Sequence, residues 1–146
     1  MTPEALFSIC SILVLPGWIL LLVAPGWKWT KRLINSCLLP LLLGVVYLYL
    51  IAAHWGESEG GFGSLAEVSQ LFQNPYNLLA GWVHYLAFDL FIGGWEARDA
   101  RRLGIHHLLL VPCLVLTFLF GPIGLLFYFI LRWMIKRKFF VGEEDA

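Results

Sequence analysis

Charged residues are scarce in this chain, at 14% of its 146 residues, whereas hydrophobic residues make up 60%. A water-soluble domain of this size needs a polar exterior, which this composition does not supply. The sequence therefore predicts an integral membrane protein with membrane lipids as its surroundings. The ten Lys and Arg fall into three short segments beside apolar runs, a pattern that concerns membrane orientation, so no nucleic-acid partner is expected.

Several signatures of cofactor and metal chemistry are absent. The four histidines form no H-x-x-x-H pair, which argues against a histidine-box di-iron oxygenase. The sequence contains no G-x-G-x-x-G, P-loop or G-x-S-x-G motif, and no lysine for a Schiff base inside an apolar run. The three cysteines lie in separate runs without a C-x-x-C pair and are interpreted as free thiols. No cofactor and no metal site is predicted, with a haem between two histidines left open.

Four apolar runs are long enough to cross a bilayer, since a hydrocarbon core of about 30 Å takes roughly 20 residues of helix. They cover residues 4–24, 33–53, 76–95 and 107–132. We expect an all-α, multi-pass bundle of four transmembrane helices, forming a single membrane domain over residues 1–146. A bacterial inner membrane or a thylakoid-type membrane would suit it.

Two local signals refine this arrangement. Between the second and third runs, Ser64 and Glu67 match a capping box, which predicts a short interfacial helix over residues 64–73. In the fourth run, Pro122 follows Gly121 and cannot donate a hydrogen bond to the carbonyl four residues earlier. The fourth helix is therefore expected to bend there.

Orientation follows from positive charge, but the signals conflict. The loops after the first and third runs carry six Lys and Arg, the acidic middle loop carries none, and the C-terminal tail carries four. With four spans the tail lies on the opposite side from those two loops. The larger count favours cytoplasmic loops after the first and third runs.

The strongest polar positions inside the predicted spans are His84 and Asp89, both in the third run. An ionisable group at mid-bilayer costs about 2.5–3.5 kcal/mol on insertion scales, so both are expected to face protein and one to line the principal cavity. They are candidate catalytic residues. In the alternative, Asp89 pairs with a nearby Arg or His and only locks the bundle. Five residues of helix place the two side chains about 140° apart, so they do not share one face.

Neighbouring polar and aromatic residues are candidates for substrate binding. Those at a helical spacing from His84 and Asp89, or beside them, are Asn77, Trp82, Tyr85, Glu96 and Arg98. Arg98 belongs to a charged turn that is either solvated or reaches back towards Asp89. Aromatic residues, at 16%, suit a pocket for a polyene, although interfacial belts explain most of the tryptophans equally well.

Part of the sequence resembles a known family of membrane proteins. The resemblance lies in Asn74-Pro75, Trp82-Val83-His84, Asp89-Leu90-Phe91, Trp95-Glu96-Ala97-Arg98-Asp99 and Phe120-Gly121-Pro122-Ile123-Gly124-Leu125-Leu126. These residues are similar to the abscisic-acid-deficient-four-like proteins, whose plant members are linked to neoxanthin synthesis. The likeness covers most of the chain, from the first run to Arg132.

The resemblance implies an isomerisation without a redox cofactor. A carotenoid 5,6-epoxide opens while a neighbouring vinylic proton leaves and an allene forms. Such a reaction needs an acid near the epoxide oxygen and a base near the proton. Asp89 would serve as the acid and His84 as the base, on a substrate that need not be violaxanthin.

Three functions are compatible with these observations. The first is a carotenoid or lipid isomerase. The second is a non-catalytic protein that binds a carotenoid or another elongated apolar ligand, as a homo-oligomer or within a larger membrane complex. The third is a small transporter, which is disfavoured because the sequence contains no internal repeat.

Overall fold

The computed structural model describes residues 1–57 and 59–141. Ser58 of the acidic loop and the last five residues of the predicted domain lie outside the described residues. The described part is all-α, as predicted, and contains no strand. Its helices are α1 (Pro3–Val23), α2 (Lys28–Thr30), α3 (Leu38–His54), α4 (Leu65–Leu71), α5 (Pro75–Arg102), α6 (His107–Phe120) and α7 (Pro122–Lys136).

Helix starts follow the capping signals of the sequence. The Asn74 side chain accepts from the backbone N–H of Tyr76, and Pro75 occupies the first turn of α5, where a missing N–H costs nothing. The Ser64 hydroxyl accepts from the Glu67 N–H at the start of α4. The predicted helix in this loop is present as α4, while its position on the membrane surface stays a prediction.

Three segments are long and apolar enough to cross a membrane: Pro3–Val23, Lys28–His54 and Pro75–Arg102. They coincide with the first three predicted runs. The second consists of α2, a π-helical turn over Lys31–Asn35 and α3, with Cys37 in the left-handed conformation between the turn and α3.

Helix α5 is the centre of the fold, because half of its 28 residues are buried and α1, α3, α6 and α7 pack against it. Glycines allow this close approach, as in many membrane helix pairs. A Cβ built on Gly93 would lie 2.8 Å from the Trp18 ring of α1, and one on Gly94 would lie 2.8 Å from Ile34.

The fourth run is not one helix, because the chain reverses at Gly121 into a helical hairpin of α6 and α7. In α6, the Thr117 side chain contacts Glu96. At the turn, Gly121 contacts Asp89 in the middle of α5. In α7, Tyr128 contacts Asp99, and Lys136 lies within 3.9 Å of a Cβ built on Gly104, just before α6.

The structure therefore has two short helices in place of the single helix expected over residues 107–132. The bend predicted at Gly121-Pro122 is a reversal of the chain. Helices α6 and α7 have 14 and 15 residues. At 1.5 Å per residue each is shorter than about 23 Å, less than the roughly 30 Å of a hydrocarbon core.

Two glycines and a proline shape the hairpin turn. Gly121 has φ 46°, a left-handed value that suits glycine, and a side chain on Gly124 would overlap the amide nitrogen and hydroxyl of Thr117. Pro122 leaves the Phe118 carbonyl without its helical donor. The Tyr85 hydroxyl of α5 donates to that carbonyl at 3.1 Å.

We expect Gly93→Ala to lower the free energy of unfolding by about 1–3 kcal/mol, because the new methyl group overlaps the buried Trp18 ring. Gly44→Ala in α3 is the matched control, since a Cβ there meets no atom within 4 Å. Thermal unfolding in detergent, followed by circular dichroism, measures both. Equal melting temperatures for the two variants would contradict the packing of α1 on α5.

Candidate functional site

An open groove of about 690 Å³ lies between α1, the end of α4 and the first half of α5. Its walls are mostly apolar and include Phe7, Phe72, Trp82 and Tyr85. The Trp82 ring lies 5.4 Å from the Phe7 ring and 5.3 Å from the Tyr85 ring. Its indole N–H donates to the Ser11 hydroxyl, which fixes the ring in the groove wall.

A second cavity of about 350 Å³ lies between α3, α4 and α5. Its polar side chains include Tyr47, Asn77 and His84. The His84 ring lies 5.7 Å from Tyr47 and 4.6 Å from Phe88. His84 is exposed on this side of α5, so the expectation that it faces the interior is wrong.

Asp89 does face the interior. Only 8% of it is exposed, and its Oδ1 lies 2.7 Å from a Cβ built on Gly121, so the carboxylate rests against the hairpin turn. Its Oδ2 is buried and has no hydrogen-bond partner among residues 1–57 and 59–141. Tyr85 lies one turn earlier on the same face of α5, close enough to interact electrostatically with this carboxylate, and its hydroxyl donates to the Phe118 carbonyl.

The structure does not bring His84 and Asp89 together, in agreement with their predicted divergence. Neither lines the larger groove, so the expectation that one of them belongs to the principal cavity is wrong. The predicted binding residues divide between the cavities: Trp82 and Tyr85 line the groove, and Asn77 lines the second cavity.

Glu96 and Arg98 contact other parts of the fold. Glu96 is fully buried, and the Thr117 hydroxyl lies 3.0 and 3.1 Å from its two carboxylate oxygens. Arg98 donates to the Asn35 carbonyl at 3.4 Å and so does not complete a cluster with Asp89.

Sequence reasoning missed a polar cluster around Asp99. The Tyr128 hydroxyl donates to this carboxylate at 2.5 Å, and Arg102 and the buried Arg132 pair with it at 2.8 and 3.6 Å. The available signal was Arg132 at the end of an apolar run. A single fourth span over residues 107–132, even with a bend at Gly121-Pro122, would carry Arg132 to the side of the membrane away from Asp99, so the sequence did not predict this pair.

Comparison with known proteins shows the family of this chain. The ABA DEFICIENT 4-like family model matches residues 5–128, which contain Tyr85, Asp89 and the hairpin turn. The chloroplastic protein ABA DEFICIENT 4 of Arabidopsis thaliana is 27% identical, over 93% of this chain and 64% of its own length. The chain thus spans less than two thirds of that relative, and no solved structure matches it. Because the family match extends over most of its length, the chain belongs to the ABA DEFICIENT 4-like family.

Proposed function

We propose that the chain crosses the membrane three times, through α1, the α2–α3 segment and α5, and inserts the α6–α7 hairpin from one side. This replaces the four-span arrangement. Two helices of 14 and 15 residues that meet beside Asp89, at the middle of α5, support a hairpin that stops at mid-membrane. Irregular backbone at that depth is tolerated where protein buries it, and Gly121 is buried.

The distribution of charge supports the same topology. The basic segments meet at one end of the fold: Arg101 lies near Gly26, Arg98 bonds to Asn35, and Lys136 lies near Gly104. All ten Lys and Arg belong to these segments, namely Lys28, Lys31, Arg32, Arg98, Arg101, Arg102, Arg132, Lys136, Arg137 and Lys138. Positive charge collects on the cytoplasmic side, so this end is cytoplasmic and the conflict posed by four spans disappears.

Three crossings place the two ends of the chain on opposite sides of the membrane, whereas four crossings place them on the same side. We expect a tag before Met1 to be digested by protease added to intact spheroplasts, and a tag after Ala146 to be protected until the membrane is permeabilised. A double-tagged protein provides both readings in one sample. Protection or digestion of both tags together would overturn the three-span topology.

We further propose that the groove binds an elongated apolar ligand of the carotenoid type. The observation that carries this is the open groove of about 690 Å³, whose wall includes the Phe7 and Trp82 rings and the side chain of Tyr85. Ligand sites are mostly apolar with a few placed polar groups, and aromatic rings stack well on a polyene. The family resemblance supplies the ligand class.

The proposed reaction is a cofactor-independent isomerisation by acid and base. Asp89 passes a proton through the Tyr85 hydroxyl to the epoxide oxygen as the carbon–oxygen bond breaks. A base removes the vinylic proton, and the electrons of that carbon–hydrogen bond form the new double bond of the allene. One proton enters and one leaves, so no oxidant or reductant is needed. His84 is the proposed base.

A binding protein without catalysis is the second candidate. The observation in its favour is that the Tyr85 hydroxyl already satisfies the Phe118 carbonyl, while the Asp89 carboxylate rests on Gly121. Both groups would then hold the hairpin against α5, and the groove would serve storage or delivery of a ligand to partner proteins.

The change Asp89→Asn separates these two functions. If Asp89 is the acid, product formation falls by about 100-fold or more, while ligand affinity and melting temperature stay close to wild type, because the amide keeps the shape. Product chromatography, ligand absorbance and thermal unfolding measure the three quantities.

Glu67→Gln, the same chemical change in α4 and outside both cavities, serves as the control. A protein with Asp89→Asn that melts early and still forms product would exclude the catalytic assignment and leave the structural one.

A further inference from the structure

The two cavities meet at a single point on α5. Phe72 and Gly81 belong to the walls of both. The Phe72 ring lies over Gly81, with Cε1 at 3.1 Å from a Cβ built there. One phenyl ring therefore separates the groove from the second cavity.

Phe72 is placed where a ring can move. It follows the last residue of α4, a helix of seven residues, and is 40% exposed. Gly81 offers no side chain to hold the ring, so displacing Phe72 exposes bare helix backbone. The groove and the second cavity would then join across the face of α5.

Helical geometry places Gly81 between His84, the proposed base, and Tyr85, which passes the proton of Asp89. His84 is three residues and Tyr85 four residues further along, so both lie one turn from Gly81, on either side of its direction by about 60° and 40°. A molecule that crosses α5 over Gly81 lies close to both His84 and Tyr85. A molecule confined to either cavity touches only one of them.

The two cavities differ in their polar groups, and this difference indicates which end of a ligand would carry an oxygen atom. The groove is lined mostly by aromatic and aliphatic side chains, with Glu4 and Ser8 also in its wall, whereas the second cavity offers the imidazole of His84, the amide of Asn77 and the phenol of Tyr47. These groups hydrogen-bond a hydroxyl or an ether oxygen.

We propose that the two cavities form one slot across α5, gated by Phe72, which binds a long polyene with an oxygen-bearing ring at its end. The polyene lies in the groove against Trp82 and Tyr85, and the polar ring occupies the cavity of His84 and Asn77. This inference rests on the proposed function and deepens it, since the slot places one ligand between the proposed acid and the proposed base.

The test compares three probes on the full chain in lipid nanodiscs: zeaxanthin, β-carotene and retinol. Zeaxanthin and β-carotene are equally long, but only zeaxanthin has ring hydroxyls, and retinol is about half as long. We expect wild type to bind zeaxanthin about tenfold more tightly than β-carotene, as one hydrogen bond to the ring would give. His84→Phe keeps an aromatic ring and should abolish this preference.

The change Gly81→Leu closes the crossing. We expect it to weaken zeaxanthin binding at least about tenfold, a difference of roughly 1.4 kcal/mol, and to weaken retinol binding much less, because retinol would occupy only the groove. Gly44→Leu is the matched control, because Gly44 lies on α3 with no atom within 4 Å of a Cβ. Should Gly81→Leu fail to fold, Phe72→Ala replaces it, and faster zeaxanthin association is expected.

The outcomes are distinct. If wild type binds none of the polyenes, both the proposed function and the slot are wrong. If wild type binds them but Gly81→Leu weakens retinol and zeaxanthin equally, or neither, the groove acts alone and only the slot is wrong. Slower association with Phe72→Ala, or a zeaxanthin preference that survives His84→Phe, would also overturn the slot.

Discussion

The hairpin can end in the middle of the fold only because α5 satisfies the backbone groups that the turn leaves free. A helix end in hydrocarbon exposes carbonyl and amide groups, each of which costs several kcal/mol without a partner. Tyr85 supplies the donor that Pro122 cannot supply. The Thr117 hydroxyl bonds Glu96, and Gly124 lets the two arms meet closely.

The same contacts determine how the ends of the chain are arranged. Because the hairpin returns, Tyr128 and Arg132 come back to Asp99 instead of lying a membrane thickness away from it. A buried arginine next to a buried carboxylate and a phenol is stable where either charge alone would be costly. The basic tail is thereby placed beside the basic loops, and the opposite end, where both cavities open, carries no Lys or Arg.

Helix α5 presents different residues on each of its faces, and each face has its own packing partners. Towards α6 and α7 it presents Asp89, Glu96 and Asp99, and towards α1 it presents Gly93 and its neighbours. Near its start, beneath Phe72 at the end of α4, it presents Gly81 between the residues that line the two cavities. A single helix can therefore link the packing of the hairpin to a binding surface, with Tyr85 belonging to both.

The sequence by itself determined the all-α class, three of the apolar segments, the cap at Ser64, and the divergence of His84 and Asp89, because each depends on local composition or helical periodicity. It also located the break at Gly121-Pro122. Only the tertiary structure decided that this break is a reversal, since a proline predicts the loss of a hydrogen bond but not the direction of the chain that follows. The same holds for the site: His84 lies outside and Asp89 inside because of where α3 and the hairpin pack, and that choice depends on contacts between residues far apart in the chain.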